Sequence, residues 1–123
     1  REQYEIAQNK DIPVTVMEPL RGGGLVNLAP KALEELNKAY PDTTPAQFGL
    51  RWAASRKNVI TVLSGMSNLE QVKQNIATFE KYQDMTEDEE KLADKIAKNI
   101  QSQGEINAKS ANSRTFDTCC RSL

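Results

Sequence analysis

The residues best placed to do chemistry in this chain are an arginine followed by three glycines. Arg21, Gly22, Gly23 and Gly24 stand in the stretch MEPLRGGGL, residues 17–25, directly after a short run rich in β-branched side chains. That combination suits an anion, because glycine lets an oxygen approach the peptide N–H groups and arginine adds a charge-assisted contact. It equally suits a plain turn with Arg21 directed at solvent. A second stretch, SGMSNLEQVKQN, residues 64–75, places Ser67 and Glu70 at the spacing of a capping box and opens a helix. A helix N-terminus favours anions. Gln71 and Asn75 stand four apart on one face of that helix, which by spacing alone is an ordinary solvated face. Candidates for acid–base chemistry are few. The chain has no histidine. Tyr4, Tyr40 and Tyr82 fall in helical stretches, and Glu18 reads as a strand-end carboxylate that orders its own loop. Cys119 and Cys120 are adjacent. Such a pair closes a disulfide only under strain, and two thiols cannot complete a four-ligand metal site, so both read as reduced.

Two strands must carry these loops. Residues 12–19, IPVTVMEP, set Ile12, Val14 and Val16 at a spacing of two. Residues 59–65, VITVLSG, form a continuous apolar run of the kind buried on both faces of a parallel sheet. Between them, PKALEELNKAY places Leu33, Leu36 and Tyr40 on one helical face. TTPAQFGLRWAAS offers Thr44, Pro45 and Gln47 as a capped helix start, with Leu50, Trp52 and Ala53 expected to pack inward. After the second strand, Leu69, Val72 and Ile76 mark one helix. Thr86 and Glu89 cap another, along which Leu92, Ile96 and Ile100 form an apolar stripe. The opening residues 1–11 read as the end of a helix whose beginning lies upstream. From residue 104 the sequence turns polar and loses its period, so 104–123 is expected to lack fixed structure.

Strands alternating with helices imply a parallel sheet with crossover connections. Two strands alone are not independently stable in water, so the pattern asks for more strands than it contains. The 123 residues suit one domain. Sixteen basic residues against seventeen acidic ones leave no broad nucleic-acid footprint. No apolar run reaches membrane-spanning length and no signal peptide is visible, so the cytoplasm is the expected compartment.

The motifs IPVTVMEPLRGGGL, PAQFGLRW and ITVLSGMSNLEQVKQN, in that order, resemble the aldo-keto reductase family, and most closely its bacterial and archaeal members with MEPLRGG and VLSGMSN signatures. The resemblance covers roughly residues 1–100. It implies an α/β fold: the C-terminal portion of a (β/α)8 TIM barrel, made of the last two βα units and the terminal helix, over residues 1–103. It implies an oxidoreductase that reduces carbonyl compounds with a nicotinamide cofactor, NADP or NAD. Active sites of such barrels lie at the C-terminal ends of the strands. By the resemblance, Met17 packs on the nicotinamide, and Pro19, Leu20, Arg21, Gly22, Gly23 and Gly24 run beside the pyrophosphate. Gly65, Met66, Ser67 and Asn68 line the phosphate and ribose, and Gln71 and Asn75 meet the adenine end. The matched positions for the adenosine 2′-phosphate, Gly65 and Gln71, are neutral, which leaves NADP against NAD open. The family's catalytic Tyr, Lys, Asp and His come from the first half of the barrel, so no catalytic residue is assigned here. The FDTCCRSL ending lacks iron–sulfur spacing, and no metal is expected. The expected partners are the cofactor and, in a complete barrel, a small carbonyl substrate. The alternative, of a different class, is a non-catalytic half-barrel that self-associates through its open strands.

Overall fold

The computed structural model describes the backbone of residues 2–110 and the side chains of residues 3–100. Arg1 and residues 111–123, with Cys119 and Cys120, lie outside the described residues. The elements follow the order read from the sequence: α1 (Glu2–Asn9), β1 (Val14–Met17), α2 (Pro30–Ala39), α3 (Pro45–Ala54), β2 (Val59–Leu63), α4 (Leu69–Glu80) and α5 (Glu87–Ser110).

The two strands pair in parallel. Val14 faces Val59, then Thr15 faces Thr61, Val16 faces Val62 and Met17 faces Leu63, so a bulge leaves Ile60 without an opposite residue. The local signals explain where the helices start. Thr44 Oγ1 accepts from Gln47 N at 3.2 Å and Gln47 Oε1 accepts from Thr44 N at 2.9 Å, a reciprocal cap on α3 with Pro45 in its first turn. Thr86 and Glu89 do the same for α5: Glu89 Oε2 accepts from Thr86 N at 2.9 Å and Thr86 Oγ1 accepts from Glu89 N at 3.3 Å.

The core sits among helices rather than around the sheet. Ala32 and Leu36 of α2, Phe48 of α3, Met85, and Ala93 and Ile96 of α5 form one buried cluster, flanked by Tyr40, Leu92 and Ile100. A polar seam borders it. Arg51 forks onto Glu89, donating to Oε1 at 2.7 Å and to Oε2 at 3.2 Å, and also reaches the Gln83 carbonyl. Arg56 pairs with Glu90, and Lys95 with Glu35 at 3.0 Å.

Several expectations are corrected. No residue of β2 is buried: Ile60 is 69% and Leu63 48% exposed, and Met17 of β1 is 65% exposed. The reason is coverage. Among the described residues α3 alone packs closely on the sheet, against β2, and both outer strand edges are unpaired. Trp52 is not core; it lies half open with the Arg56 guanidinium 5.0 Å above its ring. Leu69 and Ile76 are exposed on α4. The cap of α4 is Asn68, not Ser67: Asn68 Oδ1 accepts from Gln71 N at 2.9 Å. Asn caps as well as Ser does, and Glu70 is left as a first-turn acid. Tyr40 and Tyr82 fall just past the ends of α2 and α4 rather than within them. Helix α5 continues to Ser110, past Gly104. No described helix is long and apolar enough to cross a membrane.

Candidate functional site

Because β1 and β2 are parallel and Met17 faces Leu63, the chain leaves both strands at the same end. Paired strands lie about 4.8 Å apart. The loops that begin at Glu18 and Ser64 therefore start side by side. The register thus brings the two motifs together.

The first loop is a succession of turns. Glu18, Arg21, Gly22 and Gly23 all have positive φ, at 50°, 51°, 62° and 89°. Glycine takes that region without penalty, which accounts for two of the three glycines. The curled backbone closes on itself. The Leu20 carbonyl accepts from Gly23 N at 3.0 Å and from Leu25 N at 3.2 Å, and the Arg21 carbonyl accepts from Gly24 N at 3.1 Å. The Gly23 and Gly24 N–H groups are thus committed within the loop, contrary to the expectation that all three could serve a ligand. The Gly22 N–H makes no hydrogen bond among the described residues. A Cβ added at Gly22, Gly23 or Gly65 would meet nothing within 4 Å, whereas one at Gly24 would lie 3.3 Å from the Arg21 carbonyl oxygen. Space in front of the backbone is therefore open at three of the four glycines. Pro19 and Leu20 are half-buried, Arg21 is exposed, and Met17 and Met66 present exposed side chains.

The second loop is held by its own helix. Gln71 Oε1 accepts from Ser67 N at 2.8 Å and from Ser67 Oγ at 3.1 Å. Asn75 Nδ2 donates to Ser64 Oγ at 3.1 Å. Gln71 and Asn75 do share a face, as their spacing requires, but both side chains here fix loop 64–68. Ser64 carries no spacing signal in the sequence, because its partner lies eleven residues on, beyond any helical or strand spacing.

The tyrosines sit elsewhere. Tyr4 Oη donates to the Lys57 carbonyl at 2.7 Å, and its pKa is raised, chiefly by burial. Tyr82 Oη donates to Asp84 Oδ1 at 2.6 Å and lies 3.2 Å from Ser55 Oγ. Burial first, then the Asp84 hydrogen bond, push the Tyr82 hydroxyl up. Lys57 and Ser55 precede β2, at the opposite end of the sheet from the two loops. Among the described residues no group of three or more His, Cys, Asp or Glu side chains is set to hold a metal. The arrangement sets the Gly22 N–H, Arg21 and the N-terminus of α4 at one end of the sheet, and it brings no tyrosine there.

Two clefts among the described residues lie apart from these loops. One, about 350 Å³, runs between β2, the end of α3, and Phe79 and Tyr82. The other, about 400 Å³, is polar and contains Arg51 and Glu89. Neither is lined by residues 17–25 or 64–71. The two loops form an open ledge, which the register identifies better than concavity does.

Comparison with known proteins gives this geometry a context. No curated protein sequence matches the chain. Among solved structures, it is similar to the aldo-keto reductase AKR11C1 from Bacillus halodurans. The holo form gives a TM-score of 0.59 at 22% identity, over 77% of this chain and 37% of that one. The apo form gives the same TM-score and identity, over 38% of its length. A thermostable aldo-keto reductase, Tm1743, solved with the inhibitor epalrestat, gives a TM-score of 0.58 at 23% identity, over 75% of this chain and 32% of that one. The chain thus spans less than two-fifths of the length of these relatives. The likeness extends to fold and gives the two-stranded parallel sheet a TIM-barrel origin. The sequence profile of the Aldo/keto reductase family matches residues 1–98, and the chain belongs to that family.

Proposed function

We propose that this chain supplies part of the nicotinamide cofactor site of an NAD(P)H-dependent oxidoreductase that reduces carbonyl compounds. Within a barrel it would be the last two βα units and the terminal helix, over residues 1–103, with the cytoplasm as its compartment. The observation that carries this reading is the pairing of Met17 with Leu63, which sets the Arg-Gly-Gly-Gly loop and the start of α4 side by side at one end of the sheet. The residues fit such a ligand in specific ways. Gly22 offers a backbone donor, and open space faces Gly22, Gly23 and Gly65. Arg21 adds a cation, and the N-terminus of α4 adds a partial positive charge. Met17 and Met66 present exposed, polarisable side chains suited to a flat ring. Gln71 and Asn75 serve by holding the ledge as well as by facing the ligand. A nicotinamide cofactor, when bound, supplies hydride to a carbonyl carbon. The residues of this chain bind and orient it, and the proton comes from elsewhere. NADP and NAD both remain compatible with the neutral Gly65 and Gln71. Titration of NADPH and NADH fluorescence against the parent, Gly65→Ala and Arg21→Ala tests the reading. Weaker binding by both variants is the expected result, and equal binding by all three proteins would contradict it.

One observation favours a second reading, a non-catalytic half-barrel that self-associates. Met17, Ile60 and Leu63 are exposed on a sheet whose two outer edges lack partners, and such edges are templates for pairing. Sedimentation of the chain alone tests it.

A further inference from the structure

A glycine in the interior of a helix weakens it relative to alanine, so Gly49, midway along α3, calls for a reason. Its φ is ordinary for a helix, so the conformation does not require glycine. The reason is spatial. A Cβ built at Gly49 would lie 2.9 Å from Leu20 Cδ2, closer than real side-chain atoms approach. Leu20 belongs to the glycine loop and, with Pro19 before it, is half-buried, while Glu18 and Arg21 on either side are exposed. Its carbonyl is also the hub of that loop, accepting from both Gly23 N and Leu25 N. One residue therefore joins α3 to the backbone turns that shape the ledge.

We propose that Gly49 is a positioning residue: the missing side chain leaves a notch in α3, Leu20 seats in it, and the seat sets the backbone of the glycine loop. This rests on the reading that the loop serves the cofactor, and it gives Leu20 a role distinct from ligand contact. Leu20 faces the helix and acts through its carbonyl. A methyl group at position 49 meets the free end of the Leu20 side chain, the part that yields most easily, so Leu20 moves before the helix does. Either its side chain merely turns, or the loop moves with it, and the proposal is the second.

Amide hydrogen exchange on the 123-residue chain separates the two. In Gly49→Ala, protection of the Gly23 and Leu25 amides should fall about tenfold while the amides of α3 keep theirs. Leu20→Ala should also loosen those two amides. The double variant should be no looser than Leu20→Ala alone, because the Cβ at 49 then has no Cδ2 to displace. The proposal is overturned if Gly49→Ala leaves Gly23 and Leu25 protected as in the parent, if its effect adds in full to that of Leu20→Ala, or if protection is lost equally throughout α3. The cofactor reading has its own arm: NADPH titration of the parent. Failure to bind there would remove the cofactor from the account and leave the exchange result, and the seat, standing.

Discussion

A methyl group imposes different costs at Gly23 and at Gly65. Gly23 has a φ of 89°, a region where a Cβ costs about 1–2 kcal/mol. Gly23→Ala should therefore lower stability and distort the loop, mixing folding with binding. Gly65 has no such φ, and its added Cβ meets nothing within 4 Å. Gly65→Ala should leave the melting temperature unchanged or slightly higher, since alanine restricts the unfolded chain. If a cofactor phosphate or ribose approaches that backbone, the same change should weaken its binding by about 1–3 kcal/mol. Calorimetric melting and fluorescence titration of the two variants check this. For Arg21→Ala the loss of affinity should shrink as salt rises, because exposed charge contacts are screened. The positions of these glycines were legible in the sequence, but their separate roles were not. The conformation of Gly23 and the open space at Gly65 depend on how the loop curls, and Gly49 shows its use only when Leu20 is seated against it.

Elements whose signals are local came through from the sequence. Both strand positions, the Thr44 cap and the Thr86–Glu89 cap rest on residues within a few positions of one another, and the structure has all of them. The apolar run of β2 does not make it a buried strand, because such a run specifies what a strand can pack against while coverage is decided by elements far away in the chain. The α4 cap moved by one residue because Ser67 and Asn68 both suit it, and Gln71 selects between them by binding Ser67. Glu89 shows what pattern alone misses: besides capping α5 it receives both arms of Arg51, tying α5 to α3. Burial by itself raises the pKa of Glu89, but the Arg51 hydrogen bonds and the Thr86 N–H outweigh it and hold the carboxyl below its ordinary value. A depressed carboxylate stabilises the fold fully above its unfolded pKa, about 4.3, and loses that contribution as pH falls through the lower folded value. Glu89→Gln should cost about 1–3 kcal/mol at neutral pH. The gap from the parent in denaturant unfolding should close as pH falls below about 4.

At the scale of the whole molecule, the sheet faces solvent where a barrel would continue. Ile60→Lys, at an exposed strand position without an opposite residue, should shift sedimentation toward the monomer by placing a charge on an apolar edge. An unchanged distribution would remove that edge from any self-association. The chain alone should show no carbonyl-dependent oxidation of NADPH or NADH. It has no histidine, and Tyr4 and Tyr82 are engaged at the far end of the sheet. The two loops at the C-terminal ends of β1 and β2 are proposed to form one cofactor ledge. Amide chemical-shift mapping of the chain with NADPH tests it most directly. Residues 18–25 and 64–71 should shift together along one binding curve while residues 55–58 stay still. Shifts in only one loop, shifts centred on the cleft around Arg51 and Glu89, or none at about 10 mM cofactor, a concentration that would reveal even millimolar affinity, would contradict it.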